Sequence, residues 1–485
     1  MKKGLSQPRL GRLGLGSSIN IMSASIRGEK IVDSKERKID RIKRLNRRNN
    51  SPLRDAAENG NLVEVQRLVR DGAVVNDTAN HWNAEHALFG AVESQHYQTV
   101  TYLVNSGADL KIRGKNGFSI MQAACLEGEM TVVLYLHSRI KSTENYDMWT
   151  PNQAGWTNLH WAAYGGHNRT ISWLIENRPE NHNGPIPIDE FLNTPTKNGQ
   201  TIMHICALQG HKSTIHWAGS MGGRTNVVAD NGDFPLHIAT SEGNTLTTRA
   251  LIEKGADIMC TNRFGFMPIH LCAAASRVEC FNELLAWHTR QFKNDETDPR
   301  NIVNIETTQG WTCLSLACRE GCLAIVEKIA PLKPKANVFT KSGLSALAIA
   351  AMDGHADIAH LLLSELDADV DLQDEKGVTP LMLASKFGNA NTVSCICEND
   401  ASINLEDEHG DTALHYAALG GHYEVISILV THGAKMDIKN TTGESAARIA
   451  FRMGHAKCLE CLCAAEYYEE ERPVAPPVRA SVAGY

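Results

Sequence analysis

The sequence predicts an all-α solenoid of stacked helix-turn-helix-loop units, and three observations carry that prediction. First, a block of about a dozen residues recurs almost unchanged. Thr157-Asn-Leu-His160-Trp-Ala162-Ala163-Tyr-Gly-Gly166-His167 is one copy, and Thr412-Ala-Leu-His415-Tyr-Ala417-Ala418-Leu-Gly-Gly421-His422 is another. Second, the copies are periodic. With the Thr position as anchor, they start at Ser51, His86, Ser119, Thr157, Thr201, Phe234, Met267, Thr312, Ser345, Thr379, Thr412 and Ser445. Six of the eleven intervals are 33 residues. Third, an apolar stripe at helical spacing follows each block, as in Val425, Ile428 and Leu429. A fixed period of this length marks an array whose units each bury a face on the next.

The first element in chain order, residues 1–50, does not share the repeat. It holds 14 Lys/Arg against 4 Asp/Glu, so a net +10 is joined to a remainder of −17 within a chain of −7. Its first 28 residues, with five basic residues, five serines and no acid, superficially resemble a mitochondrial transit peptide. Pro8, Gly11, Gly14 and Gly16 interrupt any amphipathic helix there. Lys35–Arg48 is denser and can be helical, with Ile39, Ile42 and Leu45 among its basic residues. It reads either as a nuclear-import or polyanion-contacting segment, or as a solvated lead-in to the first repeat.

Each unit of residues 51–463 then follows from local chemistry. Thr or Ser at the anchor can cap a helix. Pro at the next position suits a first turn, where a missing N–H costs nothing. Paired alanines let a neighbouring helix approach. Gly at +9 ends the first helix. The apolar stripe builds a second, antiparallel helix, and a Gly-Ala pair such as Gly433-Ala434 turns the chain into a loop. The last unit carries Arg448 and Arg452 and reads as a C-terminal cap. Longer intervals place extra loops near 140–152, 178–195 and 290–302; loops of that length are functional or disordered in most compact folds. Residues 464–485, acidic and then Pro-rich, read as a disordered tail.

Composition narrows the function classes. Apolar content of 42% and charged content of 21% are ordinary for a soluble chain. No apolar run is long enough for a membrane span, and no secretory h-region is expected at the start. Thirteen scattered cysteines read as small buried hydrophobes in a reducing compartment. Cys458, Cys461 and Cys463 are close in sequence but lack a fourth ligand at metal spacing, so packing is the preferred reading over zinc. No phosphate-binding loop, H-E-x-x-H, nucleophile elbow or kinase signature is present. Asp367–Asp371 begins like a calcium loop, but Leu372 and Val378 stand where Gly and a bidentate Glu are required. No catalytic residue, cofactor or metal is therefore expected, and the flanks leave little room for a second domain.

The T-P-L-H-x-A-A block at a 33-residue period resembles the ankyrin repeat family, over residues 51–463 and about twelve repeats. The resemblance implies that the histidines at +3 (His160, His204, His237, His270, His415) and at +10 (His96, His167, His211, His355, His422, His455) are structural hydrogen-bonding residues. It implies a non-enzymatic scaffold or adaptor that captures a protein on an extended concave surface, chiefly through positions −1, +7 and +8. The aromatics at or near those positions are Phe118, Trp156, Trp161, Tyr164, Phe266 and Trp311. Trp161, at +4, either joins the partner surface or packs within the stack. Trp156, Trp161 and Tyr164 form the densest group and are the preferred patch. Residues 51–463 carry −15, which disfavours nucleic acid outside the basic arm and favours partners with a basic surface. A monomeric, cytoplasmic protein is expected, with two alternatives: a nuclear regulator guided by the arm, and a substrate receptor or regulatory subunit of an enzyme complex.

Overall fold

The computed structural model describes residues 52–76, 86–114, 117–141, 147–182, 184–291 and 301–470. The basic arm, parts of the loops near 140–152 and 290–302, and residues 471–485 lie outside them.

Two compact units divide the chain between Cys272 and Ala273. The first is built from consecutive helix pairs: α1 (Pro52–Glu58) with α2 (Leu62–Arg70), α3 (Ala87–Glu93) with α4 (Tyr97–Asn105), α5 (Ile120–Glu127) with α6 (Met130–Lys141), and α7 (Asn158–Gly165) with α8 (Asn168–Glu176). A short antiparallel pair follows, β1 (Glu180–Asn181) and β2 (Gly184–Pro185), and then α9 (Ile188–Leu192). The unit continues with α10 (Ile202–Gln209) and α11 (Lys212–Ser220), then α12 (Pro235–Glu242) and α13 (Thr245–Glu253). Helices α14 (Pro268–Ala274) and α15 (Val278–Gln291) lead into the second unit. There the pairs are α16 (Cys313–Glu320) and α17 (Leu323–Ile329), α18 (Ala346–Asp353) and α19 (Ala356–Glu365), α20 (Pro380–Phe387) and α21 (Ala390–Glu398), α22 (Ala413–Gly420) and α23 (Tyr423–Thr431), and α24 (Ala446–Met453) and α25 (Ala456–Glu470).

In every pair the first helix begins one residue after the anchor. Within each unit, first helices pack on first helices and second helices on second helices. Alanines such as Ala162, Ala163, Ala417 and Ala418 are fully buried where first helices meet, because a methyl group keeps the backbones close. Gly128 shows why the first helix stops where it does. Its φ of 74° suits glycine, and an added Cβ would stand 2.2 Å from the ring of His167.

Two expectations are adjusted. The stripe of α23 buries Val425, Ile426 and Leu429, whereas Ile428 is only half-buried. The boundary expected at 463 falls inside α25, which runs to Glu470. Ala464, Ala465 and Glu466 are strong helix formers, so no stop signal exists there.

Residues 178–182 and 184–195 fold against the array. Phe191 and Leu192 on α9 are buried. Arg178 staples the hairpin base: its Nε donates to the Ile186 carbonyl, and its Nη1 donates to the Ile175 carbonyl at 2.8 Å. The Phe191 ring meets Trp149, from the loop before α7, edge-on at 5.6 Å. Two of the extra segments thus pack on each other.

Candidate partner-binding face

Four of the six aromatics proposed from the sequence come together. Phe118 and Trp156 sit just before the anchors of the third and fourth repeats, and Trp161 and Tyr164 lie on α7. Ring centroids are 4.8 Å apart for Phe118–Trp161, 4.7 Å for Trp156–Trp161, 5.9 Å for Trp156–Tyr164 and 6.0 Å for Trp161–Tyr164. Phe89 of α3 extends the row, 6.3 Å from Phe118. The rings touch, so they form one half-buried apolar plate rather than a slot for a small ligand. Trp161 both packs on its neighbours and keeps part of its surface open. Its indole Nε1 is buried and has no acceptor.

Backbone hydrogen bonds hold the plate. Asn152 Oδ1 accepts from the Trp156 N–H at 2.8 Å, and the Asn152 N–H donates to the Trp156 carbonyl at 2.9 Å. That carbonyl also accepts from Gln122 Nε2 at 3.0 Å. The next loop is tied on where the Lys197 N–H donates to the Ala154 carbonyl at 3.1 Å. Burial pushes the Tyr164 hydroxyl above its ordinary range, against a hydrogen bond with Gln209.

Phe266 and Trp311, expected among the exposed aromatics, are corrected to buried framework residues, 3% and 4% exposed. The Phe266 carbonyl accepts from His237 Nε2 at 2.8 Å, and its ring lies edge-on to His270 at 6.2 Å. The Trp311 ring lies under the Arg319 guanidinium at 5.5 Å. Both sit before an anchor, where the backbone turns back into the stack and carries an inward-facing ring with it.

The histidines explain the stack rather than a site. At +3, Nδ1 accepts the anchor N–H, and Nε2 donates to the carbonyl one residue before the next anchor or a few residues earlier. His204 does so to Thr201 at 3.1 Å and to Asp233 at 3.3 Å. His415 does so to Thr412 at 3.1 Å and to Glu444 at 3.2 Å. Phe234 and Met267 have no hydroxyl, yet their backbone N–H groups still donate to His237 and His270. Burial pulls His160, His204 and His237 down to about 4, so each is neutral in the fold. At +10, Nε2 donates to a carbonyl of the preceding first helix. His167 reaches Leu126 at 2.9 Å and His211 reaches Tyr164 at 2.8 Å. Asn244 and Asn389 replace histidine and donate to Ala207 and Ala351, both at 2.8 Å.

Two surface features were missed. In the second unit Phe387, Leu419 and Phe451 are exposed, Phe451 at 74%, from positions +8, +7 and +6 of consecutive repeats. In the first unit Glu58, Glu93 and Glu127 recur at +7, +7 and +8. Reading the variable positions for every residue type, not only aromatics, finds both. Of the cysteines that end the chain's repeats, Cys458 is buried, Cys461 half-buried and Cys463 exposed. Among the described residues no cluster of His, Cys, Asp and Glu is disposed to hold a metal ion. None of their helices is long and apolar enough to cross a membrane.

The family model described as ankyrin repeats (3 copies) matches residues 120–218, 219–298, 236–339, 293–374, 314–407, 349–440 and 381–472. The chain belongs to the ankyrin repeat family. Ankyrin repeat and SOCS box protein 3 of Bos taurus is 28% identical over 184 residues, 31% of this chain and 33% of that protein. The probable 26S proteasome regulatory subunit p28 of Saccharomyces cerevisiae is 26% identical over 168 residues, covering 34% of this chain and 69% of its own length. Neurogenic locus notch homolog protein 1 of Xenopus tropicalis is 30% identical over 153 residues, 32% of this chain and 6% of that protein. The chain thus spans about a third of the SOCS box relative and a small part of the notch homolog. The likeness lies in the ankyrin repeats, which are modules of protein–protein interaction.

Proposed function

We propose that this ankyrin repeat protein is a monomeric scaffold or adaptor that captures a protein partner on the first-helix and loop face of its first unit. The observation that carries this reading is the touching plate of Phe118, Trp156, Trp161 and Tyr164. Large rings on a rigid backbone bury much area at little entropic cost, which is why such residues dominate interfaces. The acidic balance of the repeats favours a basic partner over nucleic acid. A cytoplasmic location accords with the free cysteines. A second reading, a regulatory subunit of an enzyme complex, draws on the match that covers 69% of the probable proteasome regulatory subunit.

The test is affinity capture with the full chain beside a Trp156→Ala, Tyr164→Ala variant. Truncating a central aromatic anchor costs about 2 kcal/mol, so the partner retained by the parent is expected to bind roughly 30-fold more weakly per residue. Undiminished retention by the variant would remove the plate from the interface. A co-purifying enzyme whose activity changes on binding would favour the second reading.

A further inference from the structure

On the first-helix face of the first three repeats, three carboxylates stand in register. Glu58 ends α1, Glu93 ends α3 and Glu127 ends α5. Arg54, with its side chain 9% exposed, lies beside them. Its Nη2 is 3.6 Å from Glu93 Oε2, and its Nε is 3.9 Å from Glu58 Oε2. Gly90 makes the room: a Cβ there would meet Arg54 Cγ and Glu58 Cβ at 3.4 Å. Gln95 Nε2 donates to Glu127 Oε2 at 3.3 Å. Glu93 therefore feels one guanidinium, Arg54, and two further carboxylates, Glu58 and Glu127. Its side chain is only partly enclosed, with 44% of its surface exposed. Glu93 shares α3 with Phe89, one turn earlier, and the Phe89 ring is 6.3 Å from Phe118 of the aromatic plate.

A segment of complementary chemistry lies in the same chain. Lys35–Arg48 carries eight Lys/Arg against two Asp/Glu, with Ile39, Ile42 and Leu45 interleaved. Basic side chains match the carboxylate row, and the aliphatic ones match the adjoining rings. The tether is short. Arg48 precedes Pro52 by four positions and Lys35 by seventeen, which allows roughly 14 Å and roughly 60 Å of extended chain. Helix α1 rises only about 10 Å, and packed helices lie about 10 Å apart, so the row is within reach. A tether of this length gives an effective concentration of about a millimolar. A weak electrostatic contact is then sufficient for substantial occupancy.

We propose that Lys35–Arg48 docks in cis on the Glu58–Glu93–Glu127 row and the adjoining aromatic plate, covering the partner face until a competing basic partner displaces it. The proposal rests on the reading that this face receives the partner.

Trypsin digestion of the full-length protein tests it, with the cut sites followed by mass spectrometry. Lys2, Lys3, Arg9 and Arg12 serve as internal controls outside the docked segment. Cleavage within Lys35–Arg48 is expected to be about tenfold slower at low salt than at about 0.5 M salt, where charges are screened within a few ångströms. The Glu58→Gln, Glu93→Gln, Glu127→Gln variant is expected to lose that protection while keeping the parent's circular dichroism. A second variant, Arg44→Gln, Arg47→Gln, Arg48→Gln, leaves the helical array untouched and is expected to expose the remaining sites equally. Equal cleavage of the parent and both variants at low salt would overturn the proposal. If the Trp156→Ala, Tyr164→Ala variant still loses its partner in that case, the partner face stands without the arm. Protection that grows with protein concentration would put the segment on a second copy and overturn the cis assignment.

Discussion

At the residue scale, burial decides what each aromatic and histidine does. Phe266 and Trp311 have the same sequence position relative to the anchor as Phe118 and Trp156, yet they face inward. Sequence spacing identifies the turn but not which way its ring points, because that depends on what the neighbouring repeats leave open. Trp161 offers a direct test. Its indole N–H is buried without an acceptor, a condition that costs about 1–3 kcal/mol. Trp161→Phe removes that group and keeps most of the ring, so the thermal midpoint should be unchanged or higher. Trp161→Ala should lose about 3 kcal/mol by leaving a gap. Equal losses in a melting comparison would show that the N–H is not a burden. The buried histidines give a pH dependence with a definite sign. His160, His204 and His237 fall from 6.5 to about 4 in the fold. Above 6.5 both folded and unfolded forms are neutral and stability is full. As pH falls toward 4 the unfolded chain binds protons that the fold refuses, so stability declines. Glu93 acts oppositely: lost solvent around its carboxyl, opposed by Arg54, raises it from 4.5 to about 6. It favours the fold below 4.5, and that contribution is lost as pH rises through 6. Burial also raises Asp233 and Glu320, but the three deeply buried histidines outweigh these carboxylates, and melting temperatures measured from pH 7 to 4 should fall. His237→Asn should make that decline shallower; an unaltered slope would show that His237 takes up its proton without unfolding.

At the element scale, the helix starts were the most legible feature. Every first helix begins at the residue after its anchor, even at His86, where Ala-Leu-Phe-Gly-Ala-Val retains little of the motif. Periodicity located the helix when identity did not. The +10 histidines were legible as structural, while the equivalent roles of Asn244 and Asn389 were not read from the sequence. An amide and an imidazole place a donor at the same reach, which a motif written in letters conceals. The packing of the hairpin and α9 was equally hidden. It depends on Arg178 reaching across a hairpin and on Trp149 arriving from another loop, and neither contact has a local pattern. Arg178→Ala should therefore release the insertion alone. The expected cost is about 1–2 kcal/mol from two lost hydrogen bonds, with faster amide exchange across residues 180–192. Exchange that accelerates equally in α7 and α10 would mean that the insertion is part of the repeat core.

At the scale of the whole molecule, the chain is two compact units, each held by contacts between neighbouring repeats. Stability in such an array is a sum of local terms. His415→Ala removes bonds to Thr412 and Glu444 in the second unit. It should speed hydrogen exchange in α20, α22 and α24 while leaving α5 and α7 protected as before. Loss of protection in both sets would show that the units melt as one. The +3 and +10 histidines carry a broader implication. His167, His204, His211 and His415 each donate from Nε2 to a main-chain carbonyl of the adjoining helix or turn. A joint of that kind does not depend on which residues the adjacent copy displays. Copies can be duplicated, deleted or exchanged in whole periods without rebuilding the seam, so the exposed positions are free to diversify while the array keeps its grammar.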